Sequence, residues 1–361
     1  MINVTKTFLP PLDDYVAYLQ GVWERGIVTN DGPLLRELEQ QLKAHLQVKH
    51  LLLVSNGTVA LSLAIKALVP AGSEIITTPF SYVATTSSIV WEGCTPVFVD
   101  IDPATFCLRP DLIEEAITDR TRAILATHVY GVPCDVEALE AIAKRHGLKV
   151  IYDAAHAFGV KYQDRSVLTY GDVSTLSFHA TKLFHTGEGG ALVTNDDELA
   201  AKLEYMRNFG HADYNQFQGL GINGKVSELH AAMGLCVLPQ VPALMDRRRV
   251  LSEQYDALLA PCGLQRPVVS ARVHYNYAYY PVVFATAEQR AAVHAALNEA
   301  DIFPRRYFYP ALTELPYVDG AWPAIREAPS IAERVLCLPL YHDLDDEVVE
   351  RIAGIVCQHT R

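Results

Sequence analysis

A lysine becomes chemically useful when it is held away from water, and Lys182 stands in such a setting. It follows Ser177-Phe178-His179-Ala180-Thr181 and precedes Thr186-Gly187-Glu188-Gly189-Gly190, between a buried-type strand and a glycine-rich loop. Taken alone, lysine reads as a solvated surface residue; in an apolar pocket its amine has a lowered pKa and can form a Schiff base. Asp153 ends the run Val150-Ile151-Tyr152 and is followed by Ala154-Ala155-His156-Ala157-Phe158-Gly159, one carboxylate among small and apolar neighbours. Carboxylates are seldom buried without a partner, so Asp153 is either the counter-ion of a ligand cation or a cap or salt-bridge partner. Ser55-Asn56-Gly57-Thr58 lies between an apolar run and the helical pattern Ala60, Leu61, Leu63, Ala64, Leu68. Free amides at a helix N-terminus bind phosphate, aided by the helix dipole; the same tetrapeptide also fits an ordinary Asn-Gly turn with a threonine cap. His156, His179, His185 and His211 match no ligand spacing, so no metal is expected.

The elements that must position these groups are legible in the periodicity. From Pro33 a helical stripe carries Leu35, Leu38, Leu42 and Leu46, with proline suited to the first turn. Short apolar runs follow at Leu51–Val54, Glu74–Thr77, Pro96–Val99, Ala123–Ala126, Lys149–Tyr152 and Val173–Ser177, with helical patterns such as Val136–Arg145 between them. Strands alternating with helices predict an α/β fold with a mostly parallel sheet covered on both faces. Active sites in such sheets lie beyond the carboxyl ends of the strands, where these three stretches fall. The pattern breaks near Leu238-Pro239-Gln240-Val241-Pro242, which divides a large domain, residues 1–240 including an N-terminal segment, from a smaller α+β C-terminal domain, residues 241–361. The latter should hold an alternating run around His274–Phe284, a helix over Ala287–Ala300, a strand at Val335–Leu338 and a closing helix over Asp345–Cys357.

At 361 residues the chain has room for two domains and a large core. Lys plus Arg number 30 against 42 Asp plus Glu, a formal charge of −12, which is the opposite of a nucleic-acid footprint. Any anionic ligand must therefore meet a local positive site. No signal-peptide layout and no apolar stretch of membrane-spanning length is present, so a cytoplasmic protein without membrane partners is expected. The seven cysteines are scattered, odd in number and without a CxxC pair, which predicts buried apolar fillers rather than a disulfide framework.

Taken together, the motifs resemble those of the DegT/DnrJ/StrS sugar aminotransferases, and the resemblance covers nearly the whole chain. It rests on Lys182 in Ser-Phe-His-Ala-Thr-Lys with Gly-Glu-Gly-Gly, Asp153 in Asp-Ala-Ala-His-Ala, and Ser55-Asn56-Gly57-Thr58. Thr29-Asn30-Asp31-Gly32-Pro33, Thr78 to Thr85, Pro96 to Asp100, His128-Val129-Tyr130-Gly131 and Gly221-Ile222-Asn223-Gly224-Lys225 add to it. The resemblance implies a fold-type I transferase using pyridoxal 5′-phosphate, with pyridoxamine phosphate carrying the amino group between half-reactions. Lys182 would hold the cofactor covalently and shuttle the proton, and Asp153 would keep the pyridine nitrogen protonated. Gly57, Thr58 and Ser177 would bind the phosphate, and Tyr82 would stack on the ring, although in a chain with 18 tyrosines it also reads as core packing. Asn223 would reach the phosphate of a neighbouring subunit, implying a homodimer with shared active sites.

The chain departs from the family pattern at two points. His156 stands where many relatives have glutamine, which bears on the cofactor's phenolic oxygen. Lys225 stands where many have arginine. Thr29, Asn30, His179, His185, Arg306 and Tyr307 are the candidate substrate contacts, with a packed histidine or a solvated arginine as the alternative at the last four. The run His179-Ala180-Thr181-Lys182-Leu183-Phe184 resembles the branch that aminates C4 of a nucleotide-linked 4-keto-6-deoxy sugar from L-glutamate, for surface polysaccharide or O-antigen synthesis. C3 amination and a non-catalytic regulator that keeps the fold are the alternatives. A sugar dehydratase is disfavoured, since those relatives carry histidine at the position of Lys182.

Overall fold

In the computed structural model, which describes residues 1–213, 215–320 and 322–360, a two-residue strand β1 (Ile2–Asn3) leads into helix α1 (Leu12–Arg25). Helix α2 (Pro33–Leu46) realises the leucine stripe, with Leu35, Leu38, Leu42 and Leu46 all buried. Its first amides are not left to water: those of Leu34 and Leu35 donate to the fully buried carboxylate of Glu228, at 3.0 and 2.9 Å. An acid at a helix N-terminus satisfies orphan donors and complements the dipole, so Glu228 fixes the end of the loop that carries Thr29 and Asn30.

Strands and helices then alternate as the pattern predicts: β2 (His50–Val54), α3 (Gly57–Leu68), β3 (Glu74–Thr77), α4 (Val83–Trp91), β4 (Thr95–Phe98), β5 (Thr121–Thr127), α5 (Val136–His146) and β6 (Lys149–Asp153). A hairpin of β7 (Lys161–Tyr162) and β8 (Arg165–Ser166) precedes β9 (Val173–Ser177), β10 (Gly190–Thr194), α6 (Asp197–Met206) and α7 (Glu228–Val237). The seven-stranded sheet has the order β2-β10-β9-β6-β5-β3-β4. Only β10 runs against its neighbours, because residues 178–189 return directly without a crossover helix. The carboxyl ends of β2, β3, β5, β6 and β9 therefore share one rim with the amino end of β10. Two apolar clusters cover the faces, one including Leu38, Ile76 and Val150, the other including Leu61, Ile65 and Leu203.

The remaining chain forms α8 (Val241–Leu259), β11 (Val273–His274), β12 (Tyr280–Val283), α9 (Ala287–Glu299), β13 (Ile302–Phe303), α10 (Glu327–Arg334), β14 (Val335–Leu338) and α11 (Asp346–Gln358). Leu251, Tyr255, Tyr280, Val293, Leu336 and Val349 build a third cluster, and Ile2 packs against it as β1 pairs with β13. The expected alternating run over His274–Phe284 is interrupted. Only β11, which pairs with β7, and β12, which pairs with β14, are strands. Between them the buried Asn276 spends its side-chain amide on the carbonyls of His156 and Phe158, at 2.8 and 2.9 Å, which bends the chain out of any ladder.

A second expectation is corrected. Cys262 and Cys357 form a disulfide, while Cys94, Cys107, Cys134, Cys236 and Cys337 are buried free thiols. The two bridged residues are 95 positions apart, beyond the reach of any local spacing rule, and meet because α8 and α11 lie together. Asp100, just beyond β4, accepts the amides of Arg326, Glu327 and Ala328 at 2.7, 2.8 and 3.0 Å, clasping the head of α10 to the sheet. Among the described residues no helix is long and apolar enough to cross a membrane.

Candidate active site

The strand rim encloses a cavity of about 560 Å³. Gly57, Thr58, Tyr82, Asp153, His156, Ser177, His179, Lys182 and Tyr307 all line it, so nine of the sequence candidates converge. A wider groove of about 770 Å³ adjoins it through Ser81, Tyr82, Tyr307 and Phe308, with Arg306 on its wall.

The phosphate-type cradle follows from close packing of three backbones. Asn56 caps α3 by accepting the amide of Val59 at 2.9 Å, and the amide of Ala60 donates to its carbonyl. The amides of Gly57 and Thr58 are then left without an intrahelical acceptor and face the cavity. A Cβ on Gly57 would stand 2.9 Å from the Cβ of Ser177, and one on Gly190 would stand 2.5 Å from the carbonyl carbon of Asn56. Glycine at both points lets the loop, Ser177 and the start of β10 approach one another. This is a cradle for a compact tetrahedral anion.

Asp153 sits at the end of β6 at 5% exposure. Burial raises its pKa; a hydrogen bond from Thr85 Oγ1 to Oδ2 at 2.7 Å, the Ala155 amide donating to Oδ1 at 3.1 Å, and the Lys182 charge all oppose that rise. The Thr85 hydroxyl is itself 2.8 Å from Ser81 Oγ, to which Thr127 Oγ1 donates at 3.2 Å. The donors of this chain all point toward the carboxylate, which orients it for a cationic N–H in the cavity. Lys182, in the loop between β9 and β10, has its amine pKa lowered by burial, with Asp153 and then Tyr307 and Tyr82 acting the other way. Its Nζ lies 3.4 Å from the hydroxyl of Tyr279.

His156 is buried and its Nδ1 accepts the amide of Tyr130 at 3.2 Å. Burial and the Lys182 charge push its pKa well below the ordinary value, so the ring is neutral with its proton on Nε2, a donor facing the cavity. His179 is exposed at the mouth, with Thr181 Oγ1 2.8 Å from Nδ1 and Glu188 3.7 Å from Nε2. A lysine amine withdrawn from water, a buried carboxylate, an anion cradle and an exposed tyrosine face at Tyr82 are the groups that would hold pyridoxal phosphate.

Five other candidates stand outside this cavity. His185 is buried with Nε2 against the carbonyl of Phe8 at 2.7 Å and Nδ1 accepting the amide of Gly187 at 3.2 Å, so both nitrogens hold the loop and neither reaches a ligand. Thr29 and Asn30 are exposed on the loop before α2, and Asn223 is exposed beside Gly224, whose carbonyl accepts the amide of Ser55. Arg306 lies over the Tyr309 ring and donates to Ala332 O at 3.3 Å and Glu333 at 3.1 Å, within the neighbouring groove. Thr85 and Tyr279 were not singled out by the sequence. Thr85 stands four residues after Ser81, a spacing that puts both hydroxyls on one side of the α4 entry; Tyr279 is hidden in a run with Tyr275, Tyr277 and Tyr280. Among the described residues no cluster of three or more His, Cys, Asp or Glu side chains could hold a metal ion.

Residues 13–357 match the DegT/DnrJ/EryC1/StrS aminotransferase family. The chain is 42% identical over 360 residues to a dTDP-4-amino-4,6-dideoxy-D-glucose transaminase from Shigella dysenteriae, covering 98% of each. It is 39% identical over 363 residues to an Escherichia coli protein of the same name, again with 98% of each covered. The crystal structure of DesI in the presence of its TDP-sugar product superposes with a TM-score of 0.94 at 33% identity, over 100% of this chain and 93% of that one.

Proposed function

Because the chain belongs to the DegT/DnrJ/EryC1/StrS aminotransferase family, whose members use pyridoxal phosphate, we propose that it moves the amino group of L-glutamate to C4 of dTDP-4-keto-6-deoxyglucose, giving dTDP-4-amino-4,6-dideoxyglucose. The observation that carries the chemistry is the convergence of the Lys182 amine, the Asp153 carboxylate and the Gly57–Ser177 cradle in one cavity. The choice of C4 and of the dTDP sugar is supported by the names of the two transaminase relatives.

When bound, pyridoxal phosphate supplies an electron sink and a temporary carrier for the amino group. Around it, the amides of Gly57 and Thr58 and the hydroxyl of Ser177 hold the phosphate, Asp153 keeps the pyridine nitrogen protonated, and Tyr82 covers one ring face. The neutral His156 offers its Nε2 proton to the phenolic oxygen. Lys182 Nζ takes the α-proton of glutamate in the first half-reaction and returns a proton to the sugar's C4 in the second. Acid–base help of this kind is worth about 10²–10⁴ in rate. His179 at the mouth and Arg305 and Arg306 in the adjoining groove are polar side chains within reach of an anionic nucleotide.

Thr29, Asn30 and Asn223, which miss their own cavity, serve the site of a second copy in a homodimer. Supporting this, Leu12, Trp23, Phe217, Leu220 and Ile222 are exposed apolar side chains, available to be buried against a second copy. Light scattering should give twice the chain mass.

The substrate assignment is tested by incubating the protein with glutamate and a panel of dTDP- and UDP-linked 3-keto and 4-keto sugars, with products read by NMR. The expected product carries nitrogen at C4 of the dTDP sugar, and amination at C3 of any panel member in its place rejects the assignment. A further expectation concerns the cradle. Gly57→Ala places a methyl group 2.9 Å from the Ser177 side chain, displacing at least one charge-assisted hydrogen bond worth about 1.5–3 kcal/mol. Titration of cofactor-free protein with pyridoxal phosphate should show Kd raised about 10- to 100-fold at unchanged secondary structure.

A further inference from the structure

We infer that Tyr279 is a positioning residue for Lys182, its phenol oxygen serving as the resting place of the amine whenever that amine is not bonded to the cofactor. The inference rests on the assignment of Lys182 above and adds a partner to it.

Tyr279 is buried at 7% exposure, and among the described residues its hydroxyl has one hydrogen-bond partner, Lys182 Nζ at 3.4 Å. A buried tyrosine hydroxyl ordinarily bonds to something fixed; this one bonds to a group that must move. The ring itself cannot follow. It is wedged edge-on against His156, Tyr307 and Tyr130, with centroids 4.9, 5.6 and 6.0 Å away. Its backbone is held on the preceding residue from both sides: the amide of Ala278 donates to Asn276 Oδ1 at 3.2 Å, and the carbonyl of Ala278 accepts from the buried Arg248 at 3.0 Å. Asn276 in turn grips the carbonyls of His156 and Phe158. The hydroxyl is therefore fixed relative to the same loop that carries His156, while the amine on the opposing loop swings. Lys182 would give up its covalent bond in the first half-reaction and regain it only in the second, and a flexible four-carbon stem without a second anchor would spend most of that interval misplaced.

Burial raises the phenol's pKa, so the hydroxyl stays neutral and stabilises the ammonium form of Lys182 more than the neutral amine, since hydrogen bonds to charged groups are the stronger ones. The other groups facing the amine are Asp153 and His156 beyond β6, Tyr82 ahead of α4, Tyr307 from the C-terminal half, and His179 and Glu188 on its own loop. None of them is altered in the variant below.

The test compares wild type with Tyr279→Phe, which keeps the ring and its three edge contacts; Tyr279→Leu replaces it should the first variant fail to fold. In the full-length, cofactor-free protein, reductive methylation of Lys182 by formaldehyde with cyanoborohydride as the hydride donor is followed against pH by peptide mass spectrometry. Loss of the phenol should move the midpoint down by about half to one pH unit, making Lys182 about three- to tenfold more reactive at a fixed pH below it. In the loaded enzyme kcat should fall about 10-fold or more, with KM for the sugar and the bound-cofactor chromophore unchanged. A midpoint that does not move overturns the inference whatever the rate does. If wild type itself neither binds pyridoxal phosphate nor transfers nitrogen, the assigned activity falls instead, and the labelling midpoint still reports on Tyr279 alone.

Discussion

Replacing Lys182 with alanine will leave a folded protein that still binds pyridoxal phosphate in the Gly57–Ser177 cradle and releases 2-oxoglutarate from glutamate at least about 10²–10⁴-fold more slowly. That range is what a positioned acid–base group contributes, and loss of the covalent hold adds to it. Of the other buried titratable groups lining the cavity, His156 is neutral with Nδ1 already engaged, Asp153 is fixed by Thr85 and Ala155, and Tyr279 is held by its ring, so none of these three is placed to take over the proton transfer. Single-turnover assays with rapid quenching measure the effect. An alanine variant with near-native turnover removes Lys182 from the mechanism.

The second large effect separates activity from stability. Asp153→Asn keeps the shape of the side chain; its carbonyl oxygen can still accept the Ala155 amide while its NH2 donates to a Thr85 hydroxyl turned to accept it, and the charge opposite the pyridine nitrogen is gone. An opposite charge at this range shifts a pKa by about one to three units, so the protonated ring is disfavoured about 10- to 10³-fold and turnover should fall accordingly. Stability moves the other way. Burial raises the Asp153 pKa above its unfolded value, so the folded chain holds the proton to higher pH than the unfolded chain does. Stability is thus lost as pH rises from the unfolded carboxylate range through the raised folded value. Cofactor-free Asp153→Asn lacks that loss and should melt at or above the wild type at neutral pH, with the gap closing below about pH 4. A variant that melts below the wild type at neutral pH contradicts the burial cost assigned to the carboxylate.

Much of this arrangement is legible in the residues themselves, and the reason is that backbone constraints leave local signatures. Asp153 ends an apolar run because strand ends place side chains at the rim. Gly189 and Gly190 are written next to each other because a side chain at the first would collide with Thr186 and one at the second with the backbone of Asn56. The helix over Val136–His146 and the strand over Val335–Leu338 follow from periodicity and length. What escaped depends on long-range meetings. Glu228 is one acid in a helical run until α2 brings two amides to it from nearly 200 residues away. Tyr279 is one of four tyrosines in six residues until the irregular bend at Asn276 turns it onto Lys182. His185 has the neighbours of a ligand residue in sequence, yet its ring turns away to Phe8 and Gly187. The Cys262–Cys357 bridge is set by the packing of α8 on α11 and by nothing nearby in the chain.

The clasp at Asp100 bears on how reactants come and go. Three amides at the head of α10 close on one carboxylate that belongs to the sheet, and Asn276 makes a comparable rivet on the far side of the cavity. The roof carrying Tyr279, Tyr307 and Phe308 is in this way cantilevered from the sheet as a rigid eave. Tyr82 and Tyr309, which stand partly in solvent at 57% and 44% exposure, lie on the wall of the adjoining groove beneath that eave and present aromatic faces to whatever enters along it.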